Sequence, residues 1–375
     1  MPLSRHTRVA APKDLVSRML RSPEMLLRFS TADWDMLVRQ GRSAGLLARI
    51  HNVLAQHNMT EVIPAEARWH FESAVTLAKK QQLAVRWEVE QIRAALSGLD
   101  CPLVVLKGAA YVAAHLPAAR GRLFNDIDIL VPRKLLNQAE AALMLAGWHT
   151  TGLSPYDERY YRRWMHEIPP MQHLHRASVI DVHHAILPDT ARYFPDPQKL
   201  LNGIVPAGDD MPGVYVFSAE DRILHSATHL FHDGELPHGL RDLTDLDLLL
   251  RHEAAAPHFW PRLVARADEL QLGRSLYYAL RYTQYFLETP IPPTVWDDLH
   301  SVTPHSALLS VMDSIFSRVL APAHASCDDA FSSIARQAAY IRAHWLRMPA
   351  HLLIPHLIHK AFISPYLDDS TPKPA

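Results

Sequence analysis

The sequence predicts an α+β protein, with a small mixed β-sheet unit in mid-chain flanked by N- and C-terminal helical regions. Three observations carry this. Over residues 1–100 apolar residues recur at three- and four-residue spacing, the period of amphipathic helices. Over residues 101–190 the pattern changes to short apolar runs and alternating segments punctuated by Gly and Pro, which are strand signals. From Phe217 the helical period returns, so residues 191–365 form a second helical region, and the polar, Pro-containing tail 366–375 is expected to be disordered.

Taken in order, "LVSRMLRSPEMLLRFS", "TADWDMLVRQ" and "RSAGLLARIHNVLAQHN" read as helices, the second starting near Thr31. The run from Pro64 to Leu99 lacks Pro and Gly until Gly98 and reads as one long helix, with Trp69, Phe71, Leu77, Leu83, Trp87 and Ile92 among its apolar positions. "PLVVLKG" is a short strand stopping at Gly108, where the helix "AAYVAAHL" opens. "DIDILVP" is a second strand ended by Pro132, and the following helix stops at Gly147, a C-cap position. "WHTT" opens a third strand, and "MQHLHR" with "VIDVHHAI" predicts a hairpin turning at Ala177 and Ser178. "SAEDRILHSATHLFHDG" has the Ser-x-x-Asp spacing of a capping box at Ser218 and Asp221.

Composition narrows the functional classes. The 375 residues are 48% hydrophobic, enough for a sizeable core, and 38 Lys plus Arg against 39 Asp plus Glu leave a net charge of -1. That balance argues against long nucleic acid as a partner, since such binders carry a basic excess. Cys101 and Cys327 lie far apart with no metal spacing, which fits a reducing compartment, and a cytoplasmic location is expected. No stretch is apolar enough for a membrane span. The basic N-terminus lacks the apolar segment of a secretory signal and reads as a frayed tail. The chain holds no P-loop, no GxSxG and no GxGxxG.

The chemistry is expected around "DIDILV". Side chains on a strand alternate, so Asp126 and Asp128 share one face while Ile127 and Ile129 share the other. Carboxylates in an apolar strand lose hydration, at a cost of several kcal/mol per ion (roughly), unless a cation pairs with them. Either a basic partner (Lys107, Arg122) or a metal must supply it. Two carboxylates at this spacing can grip one divalent cation, and Asp181 in "VIDVHH" is the candidate third. His183 shares a strand face with Asp181 and is expected to point toward the same cleft. His225, His229 and His232 fall on one helix face and offer either a zinc site or a packed face. Arg241, Asp242 and Asp245 open the next helix and are expected to form caps and ion pairs.

"LKGAAYVAA", "RGRLFNDIDILV" and "VIDVHH" together resemble the nucleotidyltransferase superfamily that includes DNA polymerase beta, and within it an uncharacterised bacterial nucleotidyltransferase family with an LKG…R…DxDLLV…DxH pattern. The resemblance covers residues 100–190. It implies a polymerase beta-like core with Asp126, Asp128 and Asp181 as catalytic, metal-binding carboxylates for Mg2+ or Mn2+. It also implies a phosphate-binding turn at Gly108, with Lys107 and Arg122 nearby. Ala109 stands where the superfamily usually has serine, so the grip on phosphate would fall on backbone N–H groups and Lys107. The implied activity is transfer of an NMP from an NTP, ATP being expected, to an unidentified small molecule, peptide or protein with release of pyrophosphate. The alternative is a non-catalytic nucleotide-binding or adaptor protein on the same fold.

Overall fold

The computed structural model of the protein describes residues 12–150, 152 and 154–354. The frayed N-terminal tail and the disordered tail expected from sequence lie outside the described residues, apart from Pro12 and Lys13. The architecture is α+β: one seven-stranded mixed sheet among helices.

Among the described residues, four α-helices precede the sheet: α1 (Leu15–Arg21), α2 (Thr31–Ser43), α3 (Leu47–Gln56) and α4 (Ala65–Ala95). Helix α2 starts at Thr31, as the sequence predicts, and Ser30 is its N-cap, closing a reciprocal capping box with Asp33. On α4 the buried stripe is narrow and includes Phe71, Val85, Val89 and Ile92. Trp69, Leu77, Leu83 and Trp87 remain exposed, since a helix packed along one side buries only one stripe of its surface.

The sheet order is β3-β4-β5-β2-β1-β7-β6. Its strands are β1 (Leu103–Val105), β2 (Ile127–Leu130), β3 (Trp148–Thr150), β4 (Met171–His173), β5 (Val179–His183), β6 (Ile204–Pro206) and β7 (Val214–Phe217). Helix α5 (Lys107–Ala113) follows β1 directly, and α6 (Leu136–Leu145) joins β2 to β3. Gly147, past the end of α6, has a φ of 100°, as a left-handed stop requires. Helix α7 (Pro155–Trp164) precedes β4, and the hairpin between β4 and β5 turns through Ala177 at a φ of 56°. Helix α8 (Pro197–Leu201) precedes β6.

Among the described residues, the sheet is followed by α9 (Ala219–His232), α10 (Gly239–Glu253), α11 (Phe259–Glu269), α12 (Gly273–Leu287), α13 (Pro293–Asp298), α14 (Ser306–Val319) and α15 (Ser332–Arg347). Ser218 caps α9 by accepting from the Asp221 N–H, as the spacing predicts. One buried apolar cluster runs through both helical regions and the sheet, so the strands are held from both sides of the sequence. Among the described residues, no helix is long and apolar enough to cross a membrane.

Candidate active site

The site is built where β2 lies between β1 and β5. β2 and β5 run parallel, in a register that sets Asp128 opposite Asp181. β1 pairs antiparallel with β2, which brings the turn from β1 into α5, with Lys107 and Gly108, to the end of β2 that carries the aspartates. Residues 166–168 run along the free length of β5 beyond β4: the Ile168 N–H donates to the Val182 carbonyl at 3.1 Å and the His184 N–H to the His166 carbonyl at 2.8 Å. This bridge sets Glu167 opposite His183.

The two aspartates of the DxD pair occupy different environments. The strand begins at Ile127, so Asp126 is not within it but lies exposed at its mouth, whereas Asp128 is buried inside. Only one carboxylate therefore bears the full desolvation cost. Asp128 meets it with two partners on one oxygen: Lys107 Nζ donates to Oδ1 at 2.7 Å and His183 Nε2 lies 2.9 Å from the same atom. Burial works against the charge, but Lys107 and His183 outweigh it and hold the Asp128 carboxyl well below the usual range. Burial likewise opposes the Lys107 ammonium, and Asp128 more than restores it, raising its pKa.

Asp181 behaves oppositely. Burial first, then the charges of Asp128 and Glu167, push its carboxyl up to about 8, so near neutrality it carries a proton in the metal-free protein. Its Oδ1 is buried without a hydrogen-bond partner. Crowding by surrounding protein and the charge of Asp128 also raise Asp126, which makes no hydrogen bond or ion pair among the described residues. With Oδ1 of Asp128 occupied, the unclaimed donors are Asp128 Oδ2, Asp181 Oδ1 and the Asp126 carboxylate. These are hard oxygen donors of the kind Mg2+ or Mn2+ takes, but among the described residues the three carboxylates do not converge within 4.8 Å of one another, as single atoms of His166, Glu167 and His183 do.

The turn has its own constraints. Lys107 sits at a φ of 45°, a strained value for a residue with a Cβ. Gly108 is buried, and a Cβ there would collide with the Arg122 guanidinium and come within 2.9 Å of the Phe124 ring. The glycine is thus required by close packing. Arg122 lies over this turn, but its Nε donates to Asp245 on α10 at 2.7 Å, and Arg49 reaches the other oxygen of Asp245 at 2.8 Å. Arg122 pairs with α10 rather than with Asp126 or Asp128. The expected ion pairing at the start of α10 is present, with Arg241 on Asp242 at 3.0 Å. Ala109 is buried at the third position of α5, whose first turn has no side-chain cap.

The histidine row lies on α9. Burial drives the His225 imidazole down to about 3 and His232 to about 4, and holds His229 well below its usual range; the Lys107 charge is the second cause for His225 and His229. All three are neutral near pH 7, and they do not form a cluster of metal-ligand atoms among the described residues. Sequence reasoning missed His166 and Glu167. Their one signal is "HEIPP", and its pairing with β5 across the intervening hairpin is invisible in periodicity.

Residues 30–288 match a protein family described as uncharacterised nucleotidyltransferase. No curated protein and no solved structure gives a significant match. The matched segment spans well over half of the chain and contains Lys107, the three aspartates and His183. The chain therefore belongs to the uncharacterised nucleotidyltransferase family.

Proposed function

We propose that the protein is a divalent-metal-dependent nucleotidyltransferase that moves an NMP from an NTP, ATP by preference, to an acceptor hydroxyl with release of pyrophosphate. The observation that carries this reading is the register of β2 and β5, which sets Asp128 beside Asp181 with Asp126 just upstream. Asp126, Asp128 through Oδ2 and Asp181 through Oδ1 are the residues that would hold Mg2+ or Mn2+. Bound there, the ion would neutralise triphosphate charge and acidify the acceptor oxygen.

The chain's own groups supply the rest. Lys107 and the uncapped first turn of α5 form the phosphate side, where backbone N–H groups offer hydrogen bonds to anions. Arg122 packs against Gly108, shapes that turn and adds positive potential to it. Asp181, protonated near neutrality without metal, would give up its proton to solvent on holding the ion and would then serve as a base beside the acceptor. His183 steadies Asp128 through the same oxygen that takes Lys107. The neutral imidazoles of His225 and His229 approach Lys107 without adding charge.

Buried Ala109 in place of the usual serine favours the second reading, a nucleotide-binding protein without turnover. Incubation with α-labelled NTP, Mg2+ and a cell extract as acceptor source separates the two. Label should pass to a component of the extract with wild type and not with Asp126→Asn. Nucleotide binding without any transfer supports the second reading, and absence of NTP binding contradicts both.

A further inference from the structure

Next to the aspartates lies a second set of donors that the nucleotidyl-transfer reading does not use. Lys107 has only hydrogens to offer, so Asp128 Oδ1 acts as an acceptor, and the same oxygen takes its second hydrogen from His183 Nε2. In neutral His183 the lone pair is therefore on Nδ1. That atom is buried without a hydrogen-bond partner, in a side chain that is only 2% exposed. It faces Glu167 Oε2 at 3.2 Å, but out of line for a hydrogen bond. Two acceptors thus confront each other, and something positive is needed between them. His166 adds a third: its Nδ1 is also buried and unpartnered, and its ring lies 5.3 Å from that of His183 between centroids. One ligand atom from each of the three residues falls within 4.8 Å of the others.

We propose that His166, Glu167 and His183 form a metal site for a zinc-class divalent cation, separate in donor type from the all-oxygen aspartate site. A proton could bridge only the His183–Glu167 pair and would leave the His166 nitrogen orphaned, whereas a cation satisfies all three. Two imidazoles and one carboxylate suit zinc, cobalt or nickel better than magnesium, which prefers oxygen. Three protein ligands leave a coordination position open for water or a substrate atom. The hydrogen bond from His183 to Asp128 then has a recognised purpose: a metal-bound histidine commonly gives its other N–H to a carboxylate, which fixes ring and tautomer. Through that bond the cation would orient Asp128. The inference does not rest on the nucleotidyl-transfer reading.

The test uses the full-length protein, stripped with chelator and dialysed against Zn2+ or Co2+. Wild type should retain stoichiometric zinc, and Co2+ should give the intense visible absorption of a low-symmetry, nitrogen-ligated site. Loss of a supporting partner costs about 10–100-fold in metal affinity, so loss of a ligand in His166→Gln or Glu167→Gln should weaken zinc binding by at least that factor. Both variants are checked for folding by circular dichroism. Asp126→Asn should keep its zinc. The proposal is overturned if wild type retains no stoichiometric zinc and gives no such Co2+ spectrum. It is also overturned if zinc is lost in Asp126→Asn or His229→Gln but kept in His166→Gln, since the ion would then belong to the aspartates or to the α9 row.

Discussion

Replacing Asp128 by Asn should destabilise the metal-free protein, while replacing Asp126 by Asn should not, although the two residues are only two positions apart. Asp128 is buried, with 4% of its side chain exposed, and one of its oxygens takes both Lys107 and His183. The amide keeps an acceptor but loses the charge, which strands the Lys107 ammonium. Removing one partner of a buried pair costs about 3–5 kcal/mol. Lys107 remains 18% exposed, so water can partly rehydrate its ammonium and the cost falls at the low end, about 3 kcal/mol. For a chain of this length, a shift of about 2 °C per kcal/mol gives a fall of about 6 °C in Tm. Asp126 has no partner to strand, and its loss relieves repulsion with Asp128, so its melt should match or exceed wild type. Melts in chelator compare the three proteins, and Mg2+ is then added back. Wild type should gain stability from Mg2+, and both variants should gain less. Equal drops for both variants, or a melt of Asp128→Asn within error of wild type, would refute the reasoning.

Further outcomes follow from the same geometry. The folded pKa of Asp181, about 8, lies above the ordinary carboxylate value, so the native state holds the extra proton between the two. Metal-free stability from this group is thus full below about pH 4 and is lost as pH rises toward 8, with a slope of at most about 1.4 kcal/mol per pH unit. The difference between wild-type and Asp181→Asn melts from pH 5 to 9 should show that slope, and stabilisation by Mg2+ should be larger at pH 8 than at pH 6; a flat difference contradicts the burial argument. Gly108→Ala forces Arg122 and Phe124 to shift and should cost about 1–3 kcal/mol in urea unfolding; an unchanged midpoint would mean the turn is looser than it looks. Asp245→Asn removes the charge facing both Arg49 and Arg122 and should cost about 3–5 kcal/mol, the same assay deciding.

Much of the fold was legible because it rests on local signals. The long run without Pro or Gly became α4, Gly147 ended α6 and Ser218 capped α9, each through a residue type with a strong local preference. The strands carrying Asp128 and Asp181 were readable from apolar runs, and period-two alternation placed His183 with them. Non-local facts were not readable. Nothing in "RGRLF" says that Arg122 pairs with Asp245 on α10, because that contact joins segments 123 positions apart. The difference between Asp126 and Asp128 depends on where the strand begins, and element ends are the least determined feature of a pattern. His166 and Glu167 entered the site through a single bridge to β5, which follows the β4–β5 hairpin and has no signature of its own.

The central claim, that the three aspartates and the Lys107 turn together hold a metal-bound nucleotide, is tested most directly by anomalous diffraction from crystals soaked with Mn2+ and a non-hydrolysable NTP. The account predicts a manganese peak within coordination distance of Asp126 and Asp128, with triphosphate density at the Lys107–Gly108 turn. Full nucleotide density elsewhere, or no manganese peak at the aspartates in crystals that have taken up the nucleotide, would contradict it.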